Sequence, residues 1–168
     1  APSLPYEEIT RLTFAKGGTS VLAHGYLLLG GLSGTASRWM FGYGMFLQLV
    51  GDLEDFEEDR ARDMATLFTT SRRETRERLI HRLFSYGDEV MCTFPVPASD
   101  RERALHQLIR SGYRFLVIQS VAGHPATTGR SFARRLEIHS PLRFSSIRSL
   151  RRRGSDLRGS KTLSILLS

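Results

Sequence analysis

The sequence holds one cysteine, Cys92, one tryptophan, Trp39, and only two lysines, Lys16 and Lys161. A single thiol excludes an internal disulfide framework and a cysteine-based zinc cage, and Cys92 reads as a small buried hydrophobe. Long apolar runs are missing too. The greasiest stretch, residues 20–32, is broken by His24, Gly25, Gly30 and Gly31, well short of the ~20 apolar residues of a membrane-spanning helix. No leader pattern of charged head, apolar middle and small-residue cleavage site is present. These absences predict a soluble chain from a reducing, cytoplasmic compartment. The five histidines, at 24, 81, 106, 124 and 139, are scattered without zinc-ligand spacing. Neither a glycine-rich phosphate loop nor a nucleophile elbow occurs.

What the chain has instead is arginine and an uneven distribution of charge. All 22 basic residues other than the two lysines are arginine, within a net charge of +7 over 168 residues. Residues 1–70 nevertheless carry net −4, and residues 71–168 carry net +11. Turn and cap signals divide the chain into helical segments. One starts at Tyr6 and is interrupted at Gly17-Gly18, where Thr19 or Ser20 would cap a second one reaching about Leu29. A third spans residues 37–68 through Gly42, Gly44 and Gly51, each glycine costing about 1 kcal/mol against alanine while permitting close helix approach. Thr70-Ser71 would cap a helix over 72–86, with 89–94 ambiguous between helix and strand. Asp100 would cap one reaching about Val121, and shorter helices cover 131–138 and 141–152. The expected fold class is all-α, with one domain over residues 1–153 and a flexible Ser-, Gly- and Arg-rich tail over 154–168.

Seven of the twelve residues from Asp52 to Asp63 are acidic. On a helix Gln48, Asp52, Asp55, Asp59 and Asp63 fall at steps of four and three and share one face, beside a core stripe of Leu49, Leu53 and Phe56. Like charges at these steps repel by a few tenths of a kcal/mol per pair, so a cation is a natural partner. An all-oxygen donor set suits Mg²⁺, which is held by one or two carboxylates plus waters and substrate phosphates. A solvated acidic helix face is the alternative, but these acids follow directly on an apolar, glycine-rich segment with Gln48 on the same stripe. That placement predicts a face lining a cavity.

The run Gln48-Leu-Val-Gly-Asp52-Leu-Glu-Asp55-Phe-Glu-Glu-Asp59 resembles the second aspartate-rich motif of class I isoprenoid synthases. This superfamily includes the trans-prenyl diphosphate synthases, the squalene and phytoene synthases and the terpene synthases. Asp52 and Asp55 match the last two acids of a Phe-Gln-x-x-Asp-Asp-x-x-Asp motif, and Asp55 and Asp59 match the acids of the squalene–phytoene arrangement. Upstream, Phe14-Ala-Lys16-Gly-Gly-Thr-Ser20 is similar to the lysine-bearing helix start that contacts diphosphate in the family. The resemblance covers residues 6–70. It implies an antiparallel helix bundle and Mg²⁺-dependent ionisation of an allylic prenyl diphosphate, in prenyl transfer or cyclisation. Asp52, Asp55 and Asp59 would then be the metal ligands, directly or through water, Lys16 would contact the diphosphate and Gln48 would line the same cavity. Gly51 replaces the first aspartate of the prenyl-synthase motif, Leu47 replaces its Phe, and no Asp-Asp-x-x-Asp motif occurs in these residues. The bundle is therefore expected to be incomplete: the sequence is a fragment, or a second copy or another partner supplies the first motif, or that first site has been lost.

Arg38, next to Trp39, is a further candidate for reaching a substrate anion or stacking on an aromatic ring. The basic run Arg143, Arg148, Arg151, Arg152, Arg153, Arg158 and Lys161 supports a rival function, a non-catalytic helical module docking on an anionic partner. Interleaved stacking aromatics are missing, which argues against nucleic acid. A solvated tail is the plainer expectation for this run.

Overall fold

The computed structural model describes residues 4–94 and 97–159, and every regular element among them is helical. Helix α1 spans Tyr6–Leu29, α2 Gly34–Glu54, α3 Phe56–Ala61, α4 Arg73–Cys92, α5 Asp100–Gly123, α6 Arg130–Glu137 and α7 Phe144–Gly159. None of the described helices is long and apolar enough to cross a membrane. The chain is all-α, as expected.

Helix α2 is the central element and packs against α1, α4 and α5. Its inner side carries Phe46, Leu49, Val50 and Leu53, which meet Ile80 and Leu83 of α4 and Val117 and Val121 of α5 in one core. Aromatic rings line the same helix. Trp39 stacks on Tyr43 at 5.0 Å between centroids, and Phe46 meets Tyr113 of α5 edge-on at 5.8 Å.

The pair Gly17-Gly18 does not interrupt α1, which is continuous to Leu29 and is closed by Gly30 in the left-handed conformation, φ 69°. The two glycines are contact points. A Cβ on Gly17 would lie 2.5 Å from the Gly44 carbonyl oxygen, and one on Gly44 would lie 2.3 Å from the Gly17 carbonyl oxygen. The backbones of α1 and α2 therefore touch, and the tertiary contact outweighs the propensity cost of two mid-helix glycines. Gly25 meets Met40 on the same seam. As the partner numbers fall on α2 they rise on α1, so the two helices run antiparallel.

The third segment ends sooner than the sequence pattern suggested. Asp55 slackens the helix without breaking its ladder, since its N–H donates to Gly51 and its carbonyl accepts from Asp59. After Arg62, Asp63 adopts φ 55°, and the Met64 N–H returns to the Asp59 carbonyl at 2.8 Å. This is a Schellman stop with aspartate where glycine is usual. Thr69 Oγ1 then donates to the Met64 carbonyl at 2.7 Å, and Thr70 Oγ1 to Thr66 at 2.6 Å, so hydroxyls replace the helix ladder.

Three smaller expectations are corrected. Thr70-Ser71 caps nothing: α4 starts after Arg72 without a side-chain cap and runs through the ambiguous stretch to Cys92. Ser99 rather than Asp100 caps α5, accepting from the Glu102 N–H at 3.2 Å. Cys92, the last residue of α4, is exposed instead of buried.

Two members of the basic C-terminal run, Arg148 and Arg151, are half-buried against the rest of the fold, while Arg143, Arg152 and Arg153 are exposed. Helix α7 continues to Gly159, inside the stretch expected to be flexible, while residues 160–168, including Lys161, lie outside the described residues. Phe144 and Ile147 are buried against α5, and Arg148 Nη1 donates to the Ala122 carbonyl at 3.2 Å. Arg151 packs over Gly123 and pairs with Glu54 of α2.

Candidate functional site

The glycine crossing sets the geometry of the acidic face. With α1 and α2 in backbone contact at Gly17 and Gly44, the residues beyond the crossing frame a cleft of about 340 Å³. Lys16 and Thr13 stand on its α1 side, and Gln48, Asp52, Asp55 and Asp59 on its α2–α3 side. The turn after the Schellman stop covers one end with Thr66. Because the i→i+4 ladder crosses Asp55 intact, the three aspartates keep the common face expected of them.

Their environments differ. Asp52 is only 8% exposed, and its Oδ1 accepts a hydrogen bond from Gln48 Nε2 at 2.7 Å. Burial pushes its carboxyl above the usual carboxylate range, against the Gln48 bond and the Lys16 charge, and Asp59 and Asp55 push the same way as burial. Asp59 is also raised, first by partial burial and then by Asp55 and Glu58. Asp55 and Lys16 are exposed at the mouth. Among the described residues no arginine forms an ion pair with Asp52, Asp55 or Asp59. Lys16 faces these carboxylates across the cleft, and the Arg62 charge also favours ionised Asp59.

Of the candidates taken from the sequence, Lys16, Gln48, Asp52, Asp55 and Asp59 therefore meet in one cleft. Arg38 does not. It lies ten residues earlier on α2, roughly 15 Å along the helix, and lines a separate groove with Tyr86, Glu89 and Cys92. Asp63, the last acid of the stripe, turns out of the series at the left-handed stop. Two lining residues, Thr13 and Thr66, had not been singled out. Thr13 is marked by its spacing with Ile9 and Lys16 on α1. Thr66 carries no sequence signal, because it arrives through the turn.

No three His, Cys, Asp or Glu side chains gather into a metal cage among the described residues. The donor set is all oxygen, open on the Lys16 side, and short of the six ligands of a closed Mg²⁺ shell. No protein family, curated protein or solved structure matches the chain.

Proposed function

We propose that the cleft between α1 and α2 binds a prenyl diphosphate with Mg²⁺, as one carboxylate wall of a class I isoprenoid-synthase type site. The observation that carries this reading is the meeting of two sequence motifs more than thirty residues apart. The lysine of one and the glutamine and aspartates of the other line the same cleft. A solvated acidic face would need neither the lysine opposite nor a buried Asp52.

Asp55 and Asp59, at the more open end, would ligate Mg²⁺, with Asp52 reaching it directly or through water. Lys16 would meet the diphosphate as a point charge. Gln48 holds the Asp52 carboxylate in one orientation. Bound Mg²⁺ supplies charge neutralisation of a departing diphosphate. Turnover further requires the first aspartate-rich motif from a second copy or another partner, so binding is the direct test here.

Thermal unfolding of the full chain with Mg²⁺ and farnesyl diphosphate, together and apart, provides it. A saturating ligand should raise Tm by about 5–10 °C only when both are present, and Asp55→Asn with Asp59→Asn should abolish the shift. Inorganic diphosphate with Mg²⁺ should give part of it. No shift with both present would overturn the reading.

A further inference from the structure

A second cleft lies between α4, α5 and α6 and shares no lining residue with the acidic one. Each helix contributes an apolar and a basic or imidazole side chain at helical spacing: Phe84 with His81, Ile118 with Arg114, and Phe132 with Arg135. Burial separates the two kinds. Ile118 and Phe132 are buried and Phe84 and Leu136 partly so, while His81, Arg114, Arg135 and His139 are exposed. The result is an apolar interior of about 440 Å³ under a nitrogen-rich rim, within the roughly 300–1,000 Å³ range of small-molecule sites.

The charges of the rim decide what fits. Among the described residues, no carboxylate lines the cleft. Arg114 is committed elsewhere, held by both oxygens of Asp88 at 2.7 and 2.8 Å, so it stiffens the wall rather than binding. Among the described residues, Arg135 donates only to the Ser131 hydroxyl, at 2.9 Å, and has no anionic partner. His81 packs edge-on against Phe132 at 5.2 Å and is exposed. An apolar pocket under an unmatched guanidinium and two imidazoles favours an apolar body with one anionic head. A cationic amphiphile would meet like charge, and a neutral one would forgo the charge-assisted bond.

We infer that this cleft is a binding site for a small single-chain amphiphile carrying one carboxylate or phosphate head, with Arg135 as its main anion contact. It is independent of Mg²⁺ and of the acidic cleft. Calorimetric titration of the full chain with decanoate, decyl phosphate, decanol and decyltrimethylammonium, below their micelle concentrations, tests it. Saturable binding of one or both anions is expected, the better anion identifying the head group, with decanol at least about tenfold weaker. Arg135→Glu should weaken anion binding by about tenfold. Arg134→Glu, next to it on α6 but outside the cleft, should leave it unchanged, as should Asp55→Asn with Asp59→Asn. Circular dichroism checks the fold of each variant, with Arg135→Gln used if Arg135→Glu fails to fold. The proposal is overturned if no anion saturates or decanol binds as well as decanoate. Equal loss in Arg134→Glu overturns it as well. Binding that needs Mg²⁺ and is lost in the Asp55/Asp59 variant would put the amphiphile in the acidic cleft instead, and would leave the proposed function standing without this one.

Discussion

Two faces of the same acidic run are treated in opposite ways. Glu54, on the outer side of α2, receives Arg151 from ninety-seven residues away, and α7 docks with that arginine laid over Gly123. Asp52, Asp55 and Asp59, within five residues of it, receive one lysine and one glutamine. The chain does not lack arginines, with 22 of them. A fold that neutralises one carboxylate through a long-range pair, yet sets three neighbours together with one lysine opposite, is the arrangement expected if that charge serves a ligand, as proposed above. The stability cost is consistent with a functional face.

The largest way to break this comparison is at the crossing that builds the open face. Gly44→Val would drive a side chain into the Gly17 backbone, where nothing flexible can yield. A loss of about 3 kcal/mol is expected in urea unfolding. Gly51→Ala, on the same helix with no atom within 4 Å of the new Cβ, should instead gain up to about 1 kcal/mol. If both substitutions behave alike, the close approach of α1 and α2 is not what holds the cleft.

On the neutralised face, Arg151→Ala strips Glu54 of its partner and empties the space over Gly123. Both side chains keep about a third of their exposure, so the loss should be about 1–2 kcal/mol rather than that of a fully buried pair. Adding Glu54→Gln should recover part of it, and a double-mutant cycle measures how much. A coupling of zero would mean that α7 docks through Phe144 and Ile147 alone.

Much of this contrast was legible in the sequence, but unevenly. The stripe Gln48, Asp52, Asp55 and Asp59 follows from helical spacing, and the structure keeps it because the backbone ladder survives Asp55. Lys16 came from a local motif and also falls in the cleft. Gly17 and Gly18 misled, because local propensity reads two glycines as a break when their use is long-range contact. Cys92 misled by residue type, which carries no information on being the last residue of a helix. Arg151 was hidden for a third reason. A run of arginines does not say which one will find a carboxylate ninety-seven residues distant, and the inward-facing members, Arg148 and Arg151, look in sequence like their solvated neighbours.

Asp88 gives the pH counterpart of the paired face. Hydrogen bonds from Arg114 and Tyr113 hold its carboxyl below the usual range. Its contribution is therefore full above the ordinary carboxylate range and lost as pH falls through the lowered value. Asp88→Asn should cost about 0.5–1 kcal/mol at pH 7, since the pair is half exposed. The difference from wild type should vanish in acid, as chemical unfolding at pH 7 and pH 3 would show. A cost that persists unchanged at pH 3 would assign it to packing.

Asp52 should behave with the opposite sign, and this smallest effect is the sharpest test of the open face. Its folded carboxyl is raised, chiefly by burial, so the stability tied to it is full below the unfolded range and is lost as pH rises through the raised value. At pH 7 the ionised group is a burden on the fold. Asp52→Asn keeps an oxygen to accept from Gln48 Nε2, keeps the shape, and removes the charge that Asp55 and Asp59 repel. The variant should be more stable than wild type by roughly 0.5 kcal/mol at pH 7, and equal to it in acid. Mg²⁺ alone should narrow the gap by relieving wild type more than the variant. A variant less stable than wild type at pH 7 would mean that the fold already compensates Asp52, and the two faces of the acidic run would no longer differ in kind.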